Sequence, residues 1–201
     1  MKAKKKFGQN FLQDQSVIER IINNFRPKAD DIIFEIGPGH AALTDHLVHY
    51  SNHLNLVEID NDLVHLLEAK YADKENVTLH HIDALTLKLE TKNTSIIGNL
   101  PYNISSQILF RLVKERAFIE TAFLMFQKEL ATRIIASPGG RDYSRLSAVV
   151  QYAANVGFVA DIKPSSFFPK PEVNSTVLRF DFLAAADMSP PMEDLLFAVI
   201  K

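Results

Sequence analysis

Thr94-Ser-Ile-Ile-Gly-Asn-Leu-Pro-Tyr102 decides how the rest of the chain is read. A short β-branched run leaves into Asn-Leu-Pro-Tyr, and a helical pattern begins at Ile104, so a carboxamide and an aromatic ring stand at the C-terminal edge of a strand. In open α/β sheets that edge is where ligands bind. Pro101 fixes its own φ and disfavours the helical region for Leu100, which predicts that Asn99 and Leu100 are extended with their oxygens directed into a cleft. Two neutral acceptors and the ring of Tyr102 suit an exocyclic amine. Its lone pair is delocalised into a ring until hydrogen bonds and attack pyramidalise it, and Tyr102 stacks on that ring. The inferred substrate is adenine or a similar base. The same four residues also make an ordinary strand-to-helix turn, which Asn and Pro favour, so the motif takes its weight from its surroundings.

Outward from this stretch the hydrophobic pattern alternates between strand and helix. Upstream, the pattern predicts a helix over residues 14–25, capped by Asp14, with Val17, Ile18, Ile21, Ile22 and Phe25 at helical spacing. Strands follow over 32–36, 54–59 and 77–82, separated by helices over 41–50 and 62–70. Downstream come a strand over 95–98, a helix over 104–114, a strand over 122–126, and helices over 128–136 and 144–155. Strands over 158–162 and 175–182 are joined without a helix by Pro164-Ser-Ser-Phe-Phe-Pro-Lys-Pro171, which predicts an antiparallel hairpin at the sheet's edge. The alternation implies an α/β fold with a mostly parallel sheet covered on both faces. Phe7-Gly-Gln-Asn-Phe-Leu12 forms a candidate anchored arm. Residues 1–185 read as one domain with a basic N-terminal arm, and 186–201 as the start of a truncated helical domain.

The glycines after the first strand mark the cofactor end. Glu35-Ile-Gly-Pro-Gly-His-Ala-Ala42 lets backbone approach a ligand at the sheet's carboxyl edge. Gly37-x-Gly39-x-x-Ala42 also satisfies the relaxed dinucleotide fingerprint, and Glu58 is spaced to bind ribose hydroxyls of NAD as well as of S-adenosylmethionine. Asp83, at the end of the third strand, is placed to accept from an adenine amino group. One acid for ribose and one for adenine favour a nucleoside without pyrophosphate.

Composition bounds the alternatives. The 201 residues are 47% hydrophobic and 23% charged, without cysteine, which excludes disulfides, thiolate nucleophiles and thiolate zinc sites. No apolar run approaches membrane-spanning length and the basic start precedes no apolar leader core, so a cytoplasmic protein with no membrane partner is expected. His46, His49 and His53 share a helical face but lack a carboxylate partner at a matching offset, so no metal is expected. Residues 1–29 carry seven Lys/Arg against two acids, residues 30–90 three against twelve, and residues 111–170 nine against five. Basic segments flanking an acidic one allow a protein of net charge -2 to present a positive face to a polyanion such as RNA.

Phe7-Gly-Gln-Asn-Phe-Leu12, Glu35-Ile-Gly-Pro-Gly39, Val57-Glu-Ile-Asp60, Asp83-Ala-Leu85, Asn99-Leu-Pro-Tyr-Asn-Ile-Ser105 and Phe167-Phe-Pro-Lys-Pro-Glu-Val-Asn-Ser175 occur in this order. With them the chain resembles the rRNA adenine dimethyltransferases over residues 7 to about 182. Leu100 and Tyr143-Ser-Arg-Leu-Ser147 favour the KsgA branch over its sister Erm branch, which acts on large-subunit rRNA. The resemblance implies a class I, Rossmann-like methyltransferase with a seven-stranded sheet. It also implies S-adenosylmethionine as cofactor, and dimethylation of N6 on two adjacent adenosines near the 3′ end of small-subunit rRNA. The partner is then the immature small ribosomal subunit, met by a protein expected to be monomeric. It puts Asn10, Leu12, Gly37, Gly39, Glu58, Asp83 and Asn99 at the cofactor, and Asn99, Leu100, Pro101, Tyr102 and Phe167 at the acceptor, Phe167 stacking on the base. The residues themselves leave open whether Phe167 or Phe168 turns inward. An NAD-dependent oxidoreductase and a non-catalytic ribosome-assembly factor are the rival readings.

Overall fold

The computed structural model describes residues 9–183. The basic start at Lys2–Lys6 and the helix expected from Pro191 lie outside the described residues. A two-residue strand, β1 (Phe11–Leu12), leads into α1 (Gln15–Phe25). Asp14 caps α1 by accepting from the N–H groups of Ser16 and Val17, and Arg26 ends it in a left-handed conformation, φ 52°. Then follow β2 (Ile32–Ile36), α2 (Thr44–Leu47), β3 (His53–Glu58), α3 (Asn61–Lys70) and β4 (Val77–His81). The second half contains β5 (Thr94–Asn99), α4 (Ser105–Lys114), β6 (Ile119–Gln127), α5 (Lys128–Ile134) and α6 (Arg145–Ala153). It ends with β7 (Ala154–Ile162), β8 (Phe167–Phe168) and β9 (Ser175–Phe182).

The main sheet has seven strands in the order β4-β3-β2-β5-β6-β9-β7. The strands from β2 to β6 pair in parallel, and β9 runs antiparallel to both β6 and β7. The edge pair is therefore antiparallel as the helix-free connection predicts, with β9 inserted inside β7. Alternation along β6 shows how the two faces are filled. Ala122, Leu124 and Phe126 enter the core beneath α4, α5 and α6, while Phe123 and Met125 enter the core beneath α1 and Leu67 of α3.

Several elements differ from expectation, among them α2 and β7. The helix expected over 41–50 shrinks to Thr44–Leu47, and its late start follows from Ala41, which sits at φ 71°. A right-handed helix cannot run through a left-handed residue, so residues 38–43 form tight turns, with the Ala41 N–H donating to the Pro38 carbonyl at 2.8 Å. In β7 the strand starts at Ala154 rather than Phe158, because residues 154–158 are held in the ladder against β9. Among the described residues no helix is long and apolar enough to cross a membrane.

Candidate active site

The chain adds β3 and β4 on one side of β2 within the sheet, then returns to place β5 on the other side of β2. Connections leave β2 and β5 in opposite directions, which opens a crevice at their carboxyl ends. Ile36 of β2 pairs with Gly98 of β5, and a Cβ on Gly98 would lie 2.6 Å from the Ile36 carbonyl oxygen. Only glycine permits that approach, which brings Asn99 against the glycine turn. Gly37 and Gly39 both hold left-handed conformations, φ 68° and 58°. A Cβ on Gly39 would come within 2.9 Å of the Phe11 ring, so the arm closes directly over bare backbone. Phe11 also meets the His40 ring edge-on at 4.2 Å.

A cavity of about 260 Å³ fills this crevice. Glu58, Ile59, Ile82 and Asp83 line one end, and Asn99, Leu100, Pro101 and Tyr102 line the other. Glu58 is buried, and its Oε1 accepts from the backbone N–H groups of Ile59 and Asp60, each at 2.9 Å. Burial pushes its carboxyl above the ordinary range, and hydrogen bonds from the Asp60, Ile59 and Gly39 N–H groups oppose the shift. Asp83 caps the turn after β4, accepting from the Leu85 N–H at 2.9 Å. Ile59 and Ile82 are 45% and 37% exposed. Apolar side chains beside two acids fit the flat faces of a nucleoside whose hydroxyls and amine reach the carboxylates.

At the acceptor end Asn99 donates its Nδ2 to the Asn10 carbonyl at 2.8 Å. This fixes the amide's orientation, with Nδ2 engaged as a donor. The Tyr102 hydroxyl shares a 2.6 Å hydrogen bond with Ser175. The arm is stitched at its other contacts as well. Gln9 Nε2 donates to Asp60 Oδ2 at 3.0 Å, and β1 pairs antiparallel with β8, Phe11 opposite Phe168 and Leu12 opposite Phe167.

Nine of the residues singled out in the sequence, Asn10, Gly37, Gly39, Glu58, Asp83, Asn99, Leu100, Pro101 and Tyr102, line this one cavity. Leu12 and Phe167 do not. Leu12 borders only a small recess behind the glycine turn, and its side chain packs under α1. Phe167 is 2% exposed in the same core, whereas Phe168 is 62% exposed. The pleat turns neighbours to opposite faces, so the expected stacking position holds a core ring and the exposed ring is its neighbour. Gly98, Gln9, Ile59 and Ile82 escaped the sequence reading. Only Gly98, lying inside a β-branched run, carried a signal: a glycine there marks a close backbone approach. Among the described residues no group of three or more His, Asp or Glu side chains is placed to hold a metal ion.

Glu35 lies beneath the glycine turn, 2% exposed, with the Thr44 hydroxyl donating to its Oε2 at 2.7 Å. Burial, with Asp45 and Glu58 adding repulsion, pushes its carboxyl up to about 8 from 4.5. Between these values the folded protein keeps a proton that the unfolded chain has lost, so stability falls as pH rises through that window. Glu35→Gln is therefore expected to melt increasingly above the wild type as pH is raised from 5 to 8, in thermal scans across that range. A constant gap between the two would show that Glu35 is ionised throughout.

The sequence model of the ribosomal RNA adenine dimethylase family matches residues 1–191. The chain is 46% identical over 205 residues to the ribosomal RNA small subunit methyltransferase A of Desulforapulum autotrophicum, covering 99% of the chain and 72% of that protein. Its counterpart from Nitrosococcus oceani is 42% identical over 183 residues, with 89% and 69% covered. Among solved structures, a dimethyladenosine transferase from Plasmodium falciparum superposes with a TM-score of 0.84 at 29% identity, covering 92% of this chain and 69% of that one. The 23S rRNA methyltransferase ErmE gives 0.82 at 27% identity, with 95% and 77% covered.

Proposed function

Because the chain belongs to the ribosomal RNA adenine dimethylase family, we propose that it uses S-adenosylmethionine to dimethylate N6 of two adjacent adenosines near the 3′ end of small-subunit rRNA, during ribosome biogenesis. The observation that carries the reading is the single cavity with two acids at one end and Asn99-Leu-Pro-Tyr102 at the other. The nicotinamide reading left open by Gly37, Gly39 and Glu58 is set aside by the family. Relatives at 42% and 46% identity are named for the small subunit, whereas the large-subunit enzyme stands at 27%, which supports the small subunit as the target.

Glu58 and Asp83 would hold the cofactor's ribose and adenine, and Ile59 and Ile82 would supply apolar surface beside them. When bound, S-adenosylmethionine supplies a methyl group activated by the charge on its sulfur. Asn99 Oδ1 and the Leu100 carbonyl accept from the target amine and direct its lone pair toward the cofactor end. As positive charge grows on the nitrogen, these two oxygens stabilise it without reorganising. The charged amine then sheds its proton readily to water, so positioning does the work that a strong base would otherwise do. A target adenine leaves its stack to enter, and the Tyr102 ring offsets the lost stacking.

The test is transfer of labelled methyl from S-adenosylmethionine to unmethylated small subunits, with the product digested and its nucleosides resolved. Dimethyladenosine is expected. Subunit binding without transfer would favour the non-catalytic assembly factor. Within the same reading, Glu58→Ala and Asp83→Ala should each weaken cofactor binding by about 1.5–3 kcal/mol, the range for hydrogen bonds to charged groups. Calorimetry showing unchanged affinity in both folded variants sinks the assignment of the acidic end.

A further inference from the structure

Tyr102 lines the acceptor end of the cavity, yet it sits in the turn between β5 and α4, where backbone alone leaves an aromatic side chain two torsions to choose. Its hydroxyl is held by a 2.6 Å hydrogen bond with that of Ser175. Ser175 is fully buried, at 0% exposure, and is the first residue of β9. There it pairs with Gln127 on one side and Ile162 on the other, so its backbone is held between two neighbouring strands. Among the described residues the Ser175 hydroxyl has no other hydrogen-bond partner. A buried hydroxyl is costly to bury unless paired, and the adjoining buried Thr176 hydroxyl is itself paired, donating to Asp161 at 2.6 Å. A serine aimed at the cavity wall is thus placed for the ring it holds.

We propose that Ser175 is a positioning residue for methyl transfer: by gripping the Tyr102 hydroxyl it fixes the plane of the aromatic wall against which the target adenine stacks. The ring then stands at one angle before RNA arrives, and the adenine's amine is delivered to Asn99 and Leu100 in one register. Without the grip the ring rotates within its well, and the amine samples orientations in which its lone pair misses the methyl. The effect falls on the acceptor side only, because Glu58 and Asp83 are at the opposite end of the cavity. The second transfer is the more sensitive of the two. N6-methyladenine has a single remaining N–H and a methyl group that must be turned away from the cofactor, so fewer orientations of the amine are productive.

This inference rests on the proposed methylation, and the experiment separates the two. Single-turnover transfer to unmethylated small subunits is measured for wild type, Ser175→Ala, Tyr102→Phe, the double variant and Ser175→Thr. Each measurement is paired with cofactor affinity by calorimetry and a melting temperature. Ser175→Ala and Tyr102→Phe should each slow transfer about five- to tenfold, the effect of one hydrogen bond acting through position. Their products should be enriched in monomethyladenosine. The double variant should be no slower than either single one, cofactor affinity should be unchanged, and Ser175→Thr should restore most of the rate. If Ser175→Ala fails to fold, Tyr102→Phe carries the test, since it deletes only one oxygen and leaves every strand intact. Wild-type transfer with an unimpaired Tyr102→Phe overturns the proposal, as do single-variant losses that multiply in the double variant. A wild type that transfers no methyl overturns the methylation reading and this inference with it.

Discussion

Asn99→Ala is expected to lower methyl transfer by about 10²- to 10³-fold, the scale seen when one preorganised polar partner of a developing charge is removed. Asn99 does two separable things. In the proposed mechanism its Oδ1 accepts from the target amine, while its Nδ2 donates to the Asn10 carbonyl at 2.8 Å, holding the arm over the glycine turn. Deleting both functions should reduce turnover strongly and cofactor affinity modestly, by about 0.5–1.5 kcal/mol for the single lost hydrogen bond. Asn99→Asp tells the two apart. It keeps an acceptor oxygen but loses the donor, and sets a carboxylate against the Asn10 carbonyl, so affinity should fall at least as far as in Asn99→Ala. Single-turnover rates and calorimetry on the same preparations give both numbers. A folded Asn99→Ala variant with near-normal single-turnover rate would remove Asn99 from the chemistry.

Much of this cavity's lining is legible in the sequence because its residues sit at strand ends, where a local pattern also fixes position in space. A β-branched run broken by Asn-Leu-Pro-Tyr, or by Gly-Pro-Gly, announces the carboxyl edge of a parallel sheet, and Glu58 and Asp83 follow from the same register. What stayed hidden depends on contacts between distant segments. Nothing local to Ala41 shows that it takes a left-handed conformation, so the helical pattern after the glycine turn starts too early. Phe11 and Phe168 lie 157 positions apart and meet only because β1 and β8 pair in a small sheet of their own. The grip of Ser175 on Tyr102 is likewise a contact across 73 positions. Period-2 alternation says that Phe167 and Phe168 part company, but the side each takes is set by β1, a partner strand too short to announce itself.

That pairing fixes the expected behaviour of the two rings, and it exchanges the outcomes expected from sequence. Leu12 and Phe167 face each other across the β1–β8 ladder and both enter the core under α1, beside Val17 and Ile21. Truncating a buried phenylalanine costs the transfer term and a cavity, so Phe167→Ala should lower stability by about 3–5 kcal/mol. In a chain of this length that lowers the melting temperature by roughly 10 °C or more. The lost packing also loosens the arm, because Leu12 loses its partner and the Phe11 ring rides on the same two-residue strand. Cofactor affinity in Phe167→Ala should therefore drop together with stability. Phe168, 62% exposed and opposite Phe11, buries too little for its removal to matter to folding, so Phe168→Ala should stay within about 0.5 kcal/mol of wild type. Its ring can meet a displaced base without any repacking, and its loss should cost roughly 1–3 kcal/mol in RNA engagement, the range for base–aromatic stacking. Melting curves, cofactor calorimetry and subunit binding on the two variants decide the matter. A Phe167→Ala protein that melts like the wild type but no longer engages RNA would return the stacking role to Phe167, and with it the register carried by the resemblance.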